Sequence, residues 1–454
     1  MRKHPNVIVI VTDDQGYGDL SCMSSPDVRT PHIDRLAGGG VRFTAWYSNS
    51  AVCSPSRASL LTGRYPGNAG VRAILAGHRT ATGLPNSTPT VARILFERGY
   101  ATYLAGKWHL GLVAGCRPKD HGFQRSFGFM AGCVDYFSHI YYWGMNVPGP
   151  GLNPTHDLWE DDREVWQCGD YLTDVISAKA IDYVRDARVQ ARPFFLYLAY
   201  NAPHYPMHAP KRYLDRFAHL PWARQVMAAM LAAVDDGVGA LDAELERLGI
   251  RDDTLIVFTS DNGPSRESRN WLDGCPDAYY GGSAGVLKGH KFSLFDGGIR
   301  VPGIIRWPAR VAGGRVCDQP VAAMDVLPTV CSAVGADTAG LELDGRDLTA
   351  LLCDGQVLPE RALCWELEQQ SAIRRGRWKL VLNGQLVEQE GPVAPAWLSD
   401  IEQDPGERRN LAEARPDIVR ELSATVVAWR TAIEQRWSHE FSPRHQGAVG
   451  HPTT

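Results

Sequence analysis

The chain has 454 residues, 47 Lys and Arg against 51 Asp and Glu, a formal net charge of −4 and 44% hydrophobic residues. That composition is ordinary for a globular domain with a large core, and it excludes the basic stripe of a nucleic-acid-binding protein. The apolar run near the start, Val7 to Val11, falls far short of the roughly 20 residues of a membrane span and lacks a signal-peptide pattern. The expectation is a cytoplasmic protein without a membrane partner, or a secreted or periplasmic one if an export signal has been removed.

Asn6 to Thr12 is a β-branched run without polar alternation, the pattern of a strand buried on both faces of a parallel sheet. Residues 55–62 read as a short helix with Pro55 in its first turn and Gly63 as its stop. Helical patterns follow over Thr88–Arg98, Leu172–Ala187 and Trp222–Leu248, the last closed by Gly249. Pro193–Ala199 and Thr254–Thr259 read as two further buried strands. Strands alternating with helices predict a doubly wound α/β sheet. From about Leu363 the texture changes to short runs, Ala372–Arg374, Trp378–Leu382 and Trp397–Ile401, and then a helical stretch, Pro416–Trp437. The expected division is an α/β catalytic domain over residues 1–358, a small α+β unit over 359–441 with an antiparallel sheet and terminal helix, and a loosely ordered tail over 442–454.

Two polar clusters end strands: Asp13-Asp14 after the first, and Asp261-Asn262-Gly263 after the Thr254 run. Open α/β sheets bind ligands outside the carboxyl ends of their strands. Three carboxylates and one amide oxygen make a hard oxygen site suited to Ca²⁺ or Mg²⁺. Either cluster alone would pass as turn and cap residues; the pair, on the two strongest buried strands, points to metal. The ten cysteines contain no C-x-x-C pair, so a structural zinc site is not expected, and a reduced compartment would keep them as thiols. Cys53 differs. It stands at a helix start, where free N–H groups and the helix dipole favour an anion and would activate a thiol, with Arg57 one turn on.

Cys53-Ser-Pro-Ser-Arg57, continuing through Thr62-Gly63-Arg64, resembles the type I sulfatase signature of the alkaline phosphatase superfamily. Further segments resemble that family in order. They are Asp13-Asp14-Gln-Gly, Thr30-Pro-His-Ile-Asp34, Gly106-Lys107-Trp-His109-Leu-Gly111, Ala202-Pro-His204, Asp261-Asn262-Gly263 and Lys291 through Asp296-Gly-Gly-Ile-Arg300-Val-Pro302. Asp296 stands where the family more often has Glu. Asp404-Pro-x-Glu407-x-x-Asn410-Leu also resembles a family segment.

The resemblance implies a large mixed, mostly parallel sheet flanked by helices, with a smaller C-terminal antiparallel sheet plus helix. It implies that Cys53 is converted by a maturation enzyme to Cα-formylglycine, whose hydrated gem-diol accepts and then expels a sulfuryl group. It implies Ca²⁺ (or Mg²⁺) held by Asp13, Asp14, Asp261, Asn262 and residue 53. Arg57 would stabilise the nucleophile, and Lys107 and Lys291 would bind sulfate. His204 would protonate the leaving alcohol, with or without Lys291, and His109 would act as base. The substrate would be a sulfated small molecule or carbohydrate. A phosphodiesterase or phosphonate monoester hydrolase of the same superfamily is the enzymatic alternative, and an inactive binding protein the non-enzymatic one. Arg72, His139, Trp271 and Tyr279 are weaker candidates for sugar contact, as are His78, His156, His208, Asn270 and Tyr280.

Overall fold

The computed structural model describes residues 4–141, 155–266, 281–386 and 393–441. Its main sheet has ten strands. In chain order they are β1 (Asn6–Thr12), β2 (Val41–Phe43), β3 (Ala101–Lys107), β4 (Arg125–Phe129), β5 (Trp159–Glu160), β6 (Arg163–Glu164), β7 (Phe194–Ala199), β8 (Thr254–Ser260), β9 (Gly303–Arg306) and β10 (Arg315–Cys317). Across the sheet they lie β10-β2-β9-β8-β1-β7-β3-β4-β5-β6. The run β8-β1-β7-β3-β4 is parallel throughout. Antiparallel pairs appear only toward the flanks, at β8–β9, β9–β2, β4–β5 and β5–β6. This is the mixed, mostly parallel α/β sheet expected.

The main helices are α1 (Pro31–Gly38), α2 (Cys53–Thr62), α3 (Val91–Glu97), α4 (Leu172–Val189), α5 (Trp222–Arg247), α6 (Asp296–Ile299), α7 (Val326–Val334) and α8 (Pro416–Glu440). Helices α1, α4 and α5 cover one face of the sheet and α2, α3 and α7 the other, which is why β1 is apolar at every turn. Ile8 and Ile10 pack into a core with α1, α4 and α5, while Val7, Val9 and Val11 pack into a second core with α2, α3 and α7. Each such side chain contributes roughly 1.5–3 kcal/mol on burial. A one-residue slip would merely swap one apolar set for the other, so it is the polar residues beyond Thr12 that mark this strand's functional end.

Two helix starts differ from the expected ones. α3 begins at Val91 because Thr90 is its cap, the Thr90 hydroxyl accepting from Arg93 N at 3.2 Å. α2 begins at Cys53 itself, with Val52 still extended before it, so Pro55 still falls in the first turn, where its missing N–H costs no helical bond. A four-stranded antiparallel sheet follows in sequence order: β11 (Ala362–Leu367), β12 (Gln370–Arg375), β13 (Trp378–Leu382) and β14 (Ala396–Asp400). One cluster joins this sheet and α8 to Tyr47, Leu294, Phe295 and Ile299 of the main body. The tail from residue 442 lies outside the described residues. Among the described residues no helix is long and apolar enough to cross a membrane.

Candidate active site

β1 and β8 pair in register, Thr12 opposite Ser260, so the residues leaving them emerge side by side. Asp261 N donates to Thr12 O at 3.1 Å. Asp14 N donates to Asp261 Oδ1 at 3.1 Å, and Asn262 Nδ2 donates to Asp14 Oδ1 at 2.7 Å. Asp14 has φ +62°, a left-handed turn that Asp adopts more readily than most residues. Asp13, Asp14, Asp261 and Asn262 are all buried. Ser260, unremarked in the sequence, braces both clusters: its hydroxyl accepts from Gln15 N and donates to Asn262 O.

α2 brings Cys53 and Arg57 to the same point. Cys53 Sγ lies 3.6 Å from Asp13 Oδ1. The Arg57 guanidinium donates through Nε and Nη2 to Asp261 Oδ2 at 3.0 and 2.7 Å, and through Nη1 to the Lys107 carbonyl at 3.3 Å. β3 delivers Lys107, whose Nζ lies 2.6 Å from Asp13 Oδ2. A Cβ on the preceding Gly106 would stand 1.8 Å from Ala199 O, so a side chain there would force β3 away from β7 and take Lys107 with it. Lys291 Nζ lies 2.8 Å from Asp14 Oδ2.

The two histidines are held in opposite tautomers. His204 Nδ1 lies 2.8 Å from the Tyr205 carbonyl, which can only accept, so the proton sits on Nδ1 and Nε2 is bare. Nε2 faces Lys291 Nζ at 3.3 Å. His109 Nε2 lies 3.0 Å from the Leu75 carbonyl, which leaves Nδ1 bare, buried and, among the described residues, without a hydrogen-bond partner. Backbone carbonyls carry no sequence signal, so neither tautomer was legible in the chain. Burial pushes both imidazoles well below their usual range, and Lys107 and Lys291 push the same way.

Three carboxylates face Arg57, Lys107 and Lys291. Burial lifts Asp13 to about 7 against Lys107, and lifts Asp14 against Lys291. For Asp261 burial again raises the value, but Arg57 and Lys107 outweigh it and hold the carboxyl at about 2. Burial pushes the Cys53 thiol far up, with Lys107 and Lys291 opposing it only in part. The activated thiolate expected at this helix start is therefore corrected: Cys53 is 2% exposed, and desolvation outweighs the helix dipole and both lysines.

A hard cation fits the carboxylate and amide oxygens of Asp13, Asp14, Asp261 and Asn262. Donor atoms of Asp13, Asp14, Cys53 and His204 lie within 4.8 Å of one another. Among the described residues Asn262 Oδ1 is buried without a hydrogen-bond partner, an orphaned acceptor beside three carboxylates.

The weaker candidates are placed differently. The Arg72 guanidinium binds Glu366 at 2.9 and 2.7 Å and Glu434 at 2.5 Å, and stacks over Trp437, tying α8 and β11 to the main body. Those partners hold it in place of a sugar. His139 is fully buried, its Nε2 3.2 Å from the Asp170 carbonyl. Trp271 and Tyr279, with Asn270 and Tyr280, lie outside the described residues.

A family model described as Sulfatase matches residues 5–336. The chain is 33% identical over 465 residues to arylsulfatase A of Homo sapiens, covering 93% of this chain and 87% of that one. Among solved structures it is similar to Ps i-CgsB, crystallised in complex with k-i-k-neocarrahexaose, with a TM-score of 0.83 and 31% identity over 97% of this chain and 98% of that one. The phosphonate monoester hydrolase of Agrobacterium radiobacter shares the fold at a TM-score of 0.63 and 22% identity, covering 94% and 96% of the two chains.

Proposed function

The chain belongs to the sulfatase family of sulfuric ester hydrolases, and from that premise we propose that it is a formylglycine- and metal-dependent sulfatase acting on a sulfated carbohydrate. The carrying observation is the position of Cys53, 3.6 Å from Asp13 in a buried ring of three acids, two lysines and one arginine. A protonated thiol is a poor nucleophile there, whereas a hydrated aldehyde at residue 53 supplies one hydroxyl to attack sulfur and a second to expel sulfate. Burial of Cys53 argues that a maturation enzyme converts it before the fold closes. A divalent cation, Ca²⁺ or Mg²⁺, on Asp13, Asp14, Asp261 and Asn262 would polarise the sulfate and ease deprotonation of the attacking hydroxyl.

The chain's own residues divide the remaining work. Lys107 and Lys291 bind sulfate oxygens and offset charge as it develops. Arg57, anchored on Asp261, stabilises the oxyanion at residue 53. His109, with Nδ1 bare, takes the proton of the second hydroxyl. His204 has its proton on the far nitrogen, so the proton for the leaving alcohol comes from the Lys291 ammonium, with Nε2 of His204 holding that ammonium in place. The carbohydrate substrate is supported by the neighbour crystallised with k-i-k-neocarrahexaose.

The test is turnover by protein with residue 53 converted. It should release inorganic sulfate from aryl and sugar sulfates far faster than it cleaves aryl phosphodiesters or phosphonates. A large phosphodiester preference would favour the hydrolase alternative, and no turnover would favour the binding protein.

A further inference from the structure

Two buried polar anchors reach from the C-terminal sheet into the segment that follows Lys291. The first is Gln370, at the start of β12 and 1% exposed. Its Nε2 donates to the Phe292 carbonyl at 2.8 Å, and its Oε1 accepts from Leu294 N at 3.2 Å and from Gln385 N at 3.1 Å. Phe292 has φ +72°, a conformation a bulky residue adopts only when held. The second anchor is an ionic triad without solvent exposure. Lys379 Nζ of β13 lies 2.6 Å from Asp296 Oδ1 and 3.2 Å from Glu407 Oε1, while Glu407 Oε2 accepts from Asp296 N at 2.6 Å. Tyr47, donating at 2.9 Å, and Arg300, at 3.3 Å, complete the shell of Asp296 Oδ2.

Both anchors fall within five residues of Lys291, and the clamped segment touches the metal loop directly. Gly263 N donates to Gly298 O at 2.9 Å, and Lys291 N donates to Pro264 O at 3.0 Å. A Cβ on Gly263 would stand 1.9 Å from Gly297 O, so the two backbones meet with no side chain between them. On the other side, Phe292 N donates to Ala51 O, two residues before Cys53. The Asp404-to-Asn410 segment explains itself as the holder of Glu407. Asp404 accepts from Arg409 N at 2.9 Å, and Asn410 bridges Leu398 N and Ala396 O of β14 at 3.0 Å each. Apolar contacts would join the two sheets without desolvating three ionic groups; such a triad contributes geometry more than stability.

We propose that the C-terminal sheet is a positioning device for the active site, Gln370 and the Lys379–Asp296–Glu407 triad fixing the backbone that aims Lys291 at the sulfate. This rests on the sulfatase reading of Lys291. The test is a double-mutant cycle in the full-length, converted enzyme, with kcat/KM for an aryl sulfate and the melting temperature measured for Gln370→Ala, Lys291→Ala and the double variant. Gln370→Ala is expected to cost about tenfold in the wild-type background and less than about twofold when Lys291 is already absent, since misplacement matters only while there is an ammonium to misplace. Equal losses in both backgrounds would overturn the positioning role. Full activity of Lys291→Ala would overturn the reading of Lys291 itself, a result visible without any change at Gln370. Should Gln370→Ala fail to fold, Asp296→Asn, which keeps the shape and removes the charge that Lys379 holds at 2.6 Å, serves in the same cycle.

Discussion

Lys291 Nζ stands 3.3 Å from Nε2 of His204, whose other nitrogen is turned to the Tyr205 carbonyl at 2.8 Å. In the proposed mechanism the lysine therefore supplies the proton and the imidazole positions it. His204→Ala should lower kcat/KM by about 10²-fold for a sugar sulfate, whose alcohol needs a proton to leave, and by much less for a nitrophenyl sulfate, which does not. A leaving-group series on both proteins measures this; equal losses across the series would remove the histidine and the lysine from proton delivery.

Cys53→Ala should abolish turnover, a loss of more than about 10³-fold, with little change in melting temperature because the thiol fills little volume. In active protein, mass spectrometry of the peptide that spans residue 53 should show loss of one sulfur and two hydrogens against gain of one oxygen. Activity from protein that retains the thiol would refute the mechanism.

Asn262→Ala removes the orphaned amide oxygen. The variant should need a markedly higher concentration of Ca²⁺ or Mg²⁺ than wild type for the same rise in melting temperature, since a ligand stabilises the state that binds it in proportion to the logarithm of its saturation. Prolonged chelation should abolish turnover, and readdition of one of the two cations should restore it. Identical metal titrations for variant and wild type would take Asn262 out of the site.

Burial lifts Glu407 to about 7, from an ordinary 4.5, against the pull of Lys379. For Asp296 burial also raises the value, but Lys379, Arg300 and Arg374 outweigh it and hold the carboxyl at about 2. The folded chain therefore binds a proton at Glu407 that the unfolded chain has already released. That contribution to stability is present below about pH 4.5 and is lost as pH rises through 7. Glu407→Gln cannot titrate, so between pH 5 and about 7.5 the wild-type melting temperature should fall relative to the variant's. A constant difference across that range would show that Glu407 does not take up the proton.

Arg72→Ala should lower stability by about 1–3 kcal/mol, because Glu366 loses its bidentate partner and is itself largely buried. Its kcat/KM for any sulfate ester should stay near the wild-type value. Denaturant titration and steady-state kinetics on one preparation separate the two effects; a raised KM with unchanged stability would return Arg72 to the substrate pocket.

The acidic clusters were legible because a strand buried on both faces leaves nothing polar until it ends, so Asp13 and Asp261 stand out against β1 and β8. Cys53 and Arg57 were legible through their spacing at a helix start. Lys107 and His109 were not legible one residue at a time, since a lysine after a short apolar run reads as solvated surface and a histidine beside Trp108 as packing. Only their order along the chain with the other motifs singled them out, and the structure then buries Lys107 completely. β3, which carries Lys107, escaped notice because Ala101–Lys107 mixes Ala, Thr and Gly with its apolar residues. Cys53 is kept protonated by burial, with Asp261 and Asp13 pushing the same way, and nothing near Cys53 in sequence announces it. Arg72 read as a sugar contact because its partners, Glu366 and Glu434, lie nearly 300 residues or more downstream.

The order in which these parts leave the ribosome has a consequence of its own. Asp13 and Asp14 emerge first, their cationic partners follow at residues 57, 107 and 291, and the anchors on the last of these come only with Gln370, Lys379 and Glu407. A nascent chain halted anywhere before Glu407 carries a set of acids whose neutralising lysine is not yet braced. If the sheet positions Lys291 as proposed, products terminated before Glu407 should therefore lose at least the roughly tenfold in turnover expected of Gln370→Ala.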